Sequence, residues 1–371
     1  MTQDKNRTEI SIKEQIKKFA IKGLLGFQTV VLFRMGRQLG IFDYLYEKAK
    51  SSSGGGRISS VTFTPDEISD KLNLNSRYLD AWLHLALECG IFEIDESCDR
   101  CLKTASHVYD LLVDRNNISY VGNGIGLFSL MIPFYDYFLE YFKTGQVLSM
   151  TSVPDFPEEF VSSITKEGHQ MSGTMGKIVE RLFSKYCKDH KRILRNQGTL
   201  LEVGCGYGFC LEIWAKKHKY ARIVGLDIDP KGVEFTRKIV DQNNWNDRIE
   251  VVNTTISEYA LANKNKFDVI ILNQTLHEMD PDENYRKSVL EDLYVMLKDD
   301  GLLVVGESMI PSIFVPKQKV QIFEVMHKWL EVIFGALFYD EKSFKELIYS
   351  TSFKNVEQIR DGYDYFWAVR K

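Results

Sequence analysis

The stretch Leu200-Leu201-Glu202-Val203-Gly204-Cys205-Gly206-Tyr207-Gly208-Phe209 constrains this chain more than any other. An apolar run suited to a strand breaks into three glycines where a helix should begin. Glycines there allow a tight turn and let a ligand approach the backbone. From residue 199 onward, strand and helix patterns alternate. Strands are expected at 199–203, 222–227, 249–253, 267–273 and 301–307, and helices at 209–217, 230–243, 284–297 and 340–350. Runs rich in Val, Ile and Leu suit a mostly parallel sheet covered on both faces. Segments 355–359 and 363–369 predict a closing antiparallel hairpin. The fold class is therefore α/β, doubly wound.

The ligand class follows from charge and spacing. Gly208 comes one residue too early for the dinucleotide pattern G-x-G-x-x-G, and Phe209 takes the place of its third glycine. Glu202 sits beside the loop, where a carboxylate repels a pyrophosphate and suits a cation. S-adenosylmethionine, with an ammonium and a sulfonium, has the right sign. Asp227, in Gly225-Leu226-Asp227-Ile228-Asp229, lies about 20 residues further on and can accept both ribose hydroxyls. In the competing reading Asp229 caps the helix before Pro230 and Asp227 is merely solvated.

Upstream, the pattern is helical. Residues 9–50 read as helices, with the apolar run Gly23–Phe33 as a buried one, well short of the ~20 residues that span a bilayer. Ser51 to Gly56 reads as a flexible loop. Thr64 can cap a helix 66–72, with Pro65 at its start and Glu67 closing a capping box. Asn75 or Ser76 opens a helix 77–89 that Gly90 ends, and strands at 91–94 and 101–104 follow. Helix, turn, helix and hairpin make a winged-helix pattern. Residues 105–195 are mostly helical: an aromatic helix carries Tyr135, Tyr137, Phe138, Tyr141 and Phe142. Pro154 and Pro157 mark a break, and helices begin near Glu158 and Lys177. The basic stretch Lys188–Arg195 is read as a connection, which divides the chain into 1–190 and 191–371.

Formal net charge is -4 and charged residues make up 26%, so no global basic field points to nucleic acid. Arg77 and His84 on the second helix of the winged pattern are offset by Asp80 and Glu88. No export signal is evident, and six cysteines in 371 residues suit a reducing cytoplasm. Cys98-x-x-Cys101, near His107 and Cys89, lacks the second pair that structural zinc needs, and reads as two thiols on a hairpin. No metal is expected.

Residues 199–309 resemble a class I S-adenosylmethionine-dependent methyltransferase. The glycine loop resembles that family's first motif, with Glu202 where Asp is commoner, and Asp227 matches its ribose-binding acid. Residues 20–150 are similar to the helical, winged-helix dimerisation domain of plant-type and bacterial small-molecule O-methyltransferases. Leu39-Gly40-Ile41-Phe42-Asp43 and Cys89-Gly90-Ile91-Phe92 carry that likeness. The resemblance implies a Rossmann-like domain that binds S-adenosyl-L-methionine through Glu202, Gly204, Cys205, Gly206, Gly208, Asp227, Ile228, Thr255, Ile256 and Asn273. It further implies a cytoplasmic homodimer acting on a small molecule, without nucleic acid or membrane, whose N-terminal domain helps to form the pocket.

The family's acceptor base falls on His277, within Ile270 to Met279, and its supporting acid on Glu307, in Val305-Gly306-Glu307-Ser308. An imidazole that titrates near neutrality can take a hydroxyl proton, and a carboxylate can orient it. In the competing reading His277 is an exposed helix-start residue. Two departures stand out. The family's second supporting Glu would fall near Phe338, and the acid that holds the adenine amine falls at Thr254-Thr255. Carbon, nitrogen and sulfur acceptors use the same scaffold. A winged-helix regulator that only senses S-adenosylmethionine is the reading from another class.

Overall fold

The computed structural model describes residues 11–52, 60–106, 108–114, 117, 120–122, 125, 129, 132–148, 158–314 and 322–371. The chain forms two compact units, Met1–Ile132 and Pro133–Lys371.

In the first unit, α1 (Ile12–Ile16) passes through a π turn into α2 (Lys22–Gln38), and α3 spans Ile41–Ser52. Ser51 and Ser52 thus end a helix, and residues 53–56 of the expected loop lie outside the described residues. The expected buried helix is buried only at its end. Leu32 and Phe33 are inside, but Phe19, Leu24 and Phe27 are exposed. The continuous helical stretch Ile12–Gln38, 27 residues, is by length and composition apolar enough to cross a membrane.

Helix α4 (Pro65–Leu72) starts at Thr64, whose hydroxyl accepts from the Glu67 amide at 3.2 Å. The expected capping box is not closed, because the Glu67 carboxylate instead accepts from Tyr44 Oη and Lys48 Nζ. Asn75 caps α5 (Ser76–Glu88) through the amides of Arg77 and Tyr78. The hairpin β2 (Phe92–Ile94) and β3 (Leu102–Thr104) follows, and β1 (Thr62–Phe63), unforeseen, pairs with β3. The expected order of helix, turn, helix and hairpin is present. Phe33, Phe42, Trp82 and Phe92 form its aromatic core, and at Gly36 any side chain would meet the Phe42 and Trp82 rings. Cys98 and Cys101 are not two free thiols but a disulfide across the hairpin turn. His107 lies outside the described residues.

In the second unit, α6 (Tyr135–Thr144) is the aromatic helix; Phe138 stacks on Trp329 at 5.2 Å. Pro154 and Pro157 lie outside the described residues. The two helices expected from Glu158 and Lys177 are one, α7 (Glu158–Tyr186), and the supposed basic connection is a helix, α8 (Lys188–Arg195). Strands and helices then alternate: β4 (Thr199–Val203), α9 (Phe209–Lys217), β5 (Arg222–Asp227), α10 (Pro230–Gln242), β6 (Ile249–Asn253), α11 (Ile256–Ala262) and β7 (Phe267–Asn273). Next come α12 (Glu283–Met296), β8 (Leu297–Gly306), α13 (Ile322–Glu331), α14 (Glu341–Tyr349), β9 (Asn355–Asp361) and β10 (Asp364–Arg370). The seven-stranded sheet has the order β6-β5-β4-β7-β8-β10-β9; its strands share one direction except β10, which pairs antiparallel with both β8 and β9.

The boundary between compact units falls before the expected residue 190 for a physical reason. Val179, Leu182 and Phe183 of α7 are fully buried in one core with Leu211, Trp214 and Phe366. That surface belongs to the sheet, so α7 folds with the α/β unit.

Candidate active site

The sheet reverses direction at β4: the chain runs outward to β5 and β6, then returns to β7 on the other side. A crevice forms where strand order reverses, at the carboxyl ends of the strands. The glycine loop closes it from below. Gly204, Gly206 and Gly208 have φ of 72°, 45° and 75°, a region that a side chain disfavours. A Cβ on Gly204 would run into Thr275, and one on Gly206 into the His169 ring. Thr236 Oγ1 donates to the Gly206 carbonyl at 2.7 Å.

Asp227 ends β5. Its Oδ2 accepts from the Gly206 amide at 2.7 Å and its Oδ1 from the Asp229 amide at 2.8 Å. Asp229 caps α10 by accepting from Lys231 and Gly232. The cap of the competing reading is therefore present, while Asp227 is fixed in the crevice rather than loosely solvated.

A cavity of about 750 Å³ fills the crevice. Glu202, Gly204, Cys205, Asp227, Ile228, Thr255, Ile256 and Asn273 all line it. Gly206 and Gly208 do not, and act on it through the shape of the loop. Glu202 is 2% exposed, and among the described residues its Oε2 has no hydrogen-bond partner. Burial pushes its carboxyl up to about 8; the Cys210 thiol opposes this by hydrogen bonding and Asp227 adds to it. Asn273 Nδ2 donates to the Ser172 carbonyl at 3.0 Å. The Thr255 hydroxyl is taken up in a capping box with Glu258 at the start of α11. His169, Thr165 and Ser172 of α7 also line the cavity, and the sequence reading missed them. No motif signals a helix lying so far upstream.

His277 sits in a short 3-10 turn just after β7 and is 1% exposed, so the exposed helix-start reading fails. Its Nδ1 donates to Glu307 Oε2 at 2.6 Å, which brings the expected pair together. Glu307 Oε1 also accepts from the amides of Thr275 and Leu276, at 2.8 and 2.6 Å. The second carboxylate comes from Glu331 on α13, which the sequence reading missed. His277 Nε2 donates to Glu331 Oε2 at 2.8 Å, and His327 Nε2 donates to Glu331 Oε1 at 2.6 Å. Phe338 makes no hydrogen bond there but stacks on the His277 ring at 4.5 Å.

Burial alone would lower the His277 pKa. The charges and hydrogen bonds of Glu307 and Glu331 outweigh it, and the net shift is well above the usual histidine value. In this arrangement both His277 nitrogens face carboxylates and donate to them, which favours the imidazolium form. Neither His277 nor Glu307 lines the cavity; their neighbours Thr275 and Glu278 do. Beneath the turn, Arg286 is fully buried and donates to the carbonyls of His277, Met279, Asp280 and Leu337.

Residues 201–303 match the family model described as a methyltransferase domain. Over 119 residues the chain is 27% identical to carboxy-S-adenosyl-L-methionine synthase of Salmonella arizonae and equally to that of Salmonella newport. The match takes in 32% of this chain and 46% of those proteins, so the chain spans about half the length of the curated relatives it matches. Likeness of fold is broader. Mitomycin 7-O-methyltransferase superposes with a TM-score of 0.68 at 15% identity, covering 97% of this chain and 98% of that one. Human N-acetylserotonin methyltransferase gives 0.69 at 13% identity, covering 99% of both chains. The N,N-8-amino-8-demethyl-D-riboflavin dimethyltransferase of Streptomyces davawensis gives 0.66 at 13%, covering 97% of this chain and 99% of that one. Residues 201–303 thus match a methyltransferase domain, in a chain that shares its fold with these small-molecule methyltransferases.

Proposed function

We propose that this chain transfers a methyl group from S-adenosylmethionine to an oxygen of a small, partly apolar acceptor. The observation that carries this reading is Glu202, a buried carboxylate with an unpartnered oxygen on the wall of the glycine-loop cavity. An unpaired buried acceptor is costly, and a cationic ligand removes that cost. When bound, the cofactor supplies an electrophilic methyl on a sulfonium.

The residues of the chain do the positioning. Glu202 holds the amino-acid ammonium and Asp227 the ribose hydroxyls. Ile228 and Ile256 flank the adenine, with Thr255 beside it. Gly204 and Cys205 bring backbone close to the ligand, Gly206 and Gly208 shape the turn, and Asn273 closes the inner wall. For a hydroxyl acceptor, His277 first passes its own Nε2 proton to Glu331 and then takes the hydroxyl proton at Nε2, while Glu307 keeps the ring oriented. A nitrogen acceptor is the second reading, favoured by the engagement of both His277 nitrogens, because an amine can attack without prior deprotonation.

We assign the first unit to dimerisation. Ile12, Ile16, Phe19, Leu24 and Phe27 are exposed along one helical stretch, and a second copy would cover them. A cytoplasmic location goes with this reading. The test is incubation with labelled S-adenosylmethionine and a host metabolite extract, followed by mass analysis. A labelled small molecule is expected; none, together with no calorimetric response to S-adenosylhomocysteine, refutes the proposal.

A further inference from the structure

We infer that His277, His327 and Glu331 form a site for a divalent transition cation of the zinc class, and that filling it shuts off His277 as a base. The three side chains offer ligand atoms that all lie within 4.8 Å of one another. Two imidazoles and one carboxylate are a donor set that such cations favour. His327 and Glu331 stand one helical turn apart on α13, so both point the same way. His277 approaches from the turn after β7.

The orientation of His277 is already that of a metal ligand. Its Nδ1 proton goes to Glu307, leaving Nε2 as the nitrogen aimed at the other two groups. A carboxylate behind a ligating imidazole fixes its tautomer and ring plane. Phe338 stacked on the ring limits its rotation further. At present Glu331 accepts one hydrogen bond from each imidazole, at 2.8 and 2.6 Å. Bonds of about 2.0–2.1 Å in a tetrahedron place ligand atoms about 3.3 Å apart. A cation therefore takes the place of the two bridging protons after a small outward movement of the carboxylate: His277 loses its Nε2 proton to solvent, and His327 presents Nε2 as its Nδ1–H tautomer. The Glu331 side chain is 16% exposed, which gives solvent contact to a cluster whose histidines are both buried.

A cation on Nε2 leaves no lone pair there for an acceptor proton. The binding claim stands on this geometry alone. The shut-off rests on the base role proposed above, and the two fail separately.

The full chain, stripped with a chelator, is titrated with Zn2+ by calorimetry and with Co2+ by visible absorption. One Zn2+ per chain is expected, with tetrahedral Co2+ bands. Affinity should be at least about tenfold weaker in His327→Ala and in Glu331→Gln, each checked for folding by circular dichroism. Methyl transfer should fall with the same Zn2+ midpoint as binding. Absence of stoichiometric binding, or affinity unchanged in both variants, overturns the site. Stoichiometric binding with undiminished turnover overturns the shut-off, and with it the base role of His277.

Discussion

His277 Nδ1 donates a hydrogen bond to Glu307 across 2.6 Å, with both side chains buried. If this pair serves deprotonation, His277→Ala should lower turnover by about 10²–10⁴-fold, the usual contribution of a general base. S-adenosylhomocysteine affinity should stay nearly unchanged, since neither residue lines the cofactor cavity. Glu307→Gln should lower kcat in the same direction by less. Steady-state kinetics beside calorimetry separates the effects, and unchanged turnover in His277→Ala removes the acid–base role.

Asp227 is expected to matter for binding rather than for chemistry. It is held by the amides of Gly206 and Asp229, so its carboxylate is fixed before any ligand arrives. Asp227→Ala should weaken S-adenosylhomocysteine by about 10- to 100-fold, as expected for loss of hydrogen bonds to a charged group worth about 1.5–3 kcal/mol. Calorimetric titration measures this directly.

Glu202 makes cofactor affinity depend on pH. With its carboxyl raised to about 8, the residue carries a proton in the free protein near neutrality, and a cationic ligand requires that proton to leave. Affinity should therefore rise from about pH 6 to 8 and then level off, with proton release visible as buffer-dependent heat. For stability the sign is opposite to that of a salt-bridged acid. Between the ordinary 4.5 and about 8 the folded chain holds a proton that the unfolded chain has lost, so this contribution declines as pH rises through that window. Glu202→Gln should flatten both profiles.

Gly204→Ala and Gly206→Ala test the loop. Both positions have positive φ, and an added Cβ meets Thr275 in one case and His169 in the other. Left-handed backbone costs an L-residue about 1–2 kcal/mol before any clash. Both variants should melt several degrees lower and bind S-adenosylhomocysteine more weakly, with Gly206→Ala also displacing His169 from the cavity wall. Thermal melts and calorimetry together check this.

The sheet was legible because its buried strands are short segments rich in Val, Ile and Leu, and Asp229-Pro230 marks a helix start by cap and ring geometry. The glycine loop and Asp227 were legible because their constraint is local. What escaped depends on distant partners. Glu331 meets His277 across 54 residues, and only its spacing from His327 sets it apart from a surface acid. The spacing of His327 and Glu331 was the available sign. Helix α8 was misread because its polar residues hide the buried Leu194. For Cys98 and Cys101, the spacing fits two thiols as well as a bridge.

Arg286 gives the turn that carries His277 an unusual mechanical character. Its guanidinium is shared among the carbonyls of His277 in the turn, of Met279 and Asp280 just after it, and of Leu337 beside it, with no carboxylate among these four. Peeling the turn away would strand a positive charge inside the protein, so this segment has no inexpensive partial opening. Its backbone amides should exchange with deuterium only as fast as the whole α/β unit comes apart, unlike the fraying usual for surface turns.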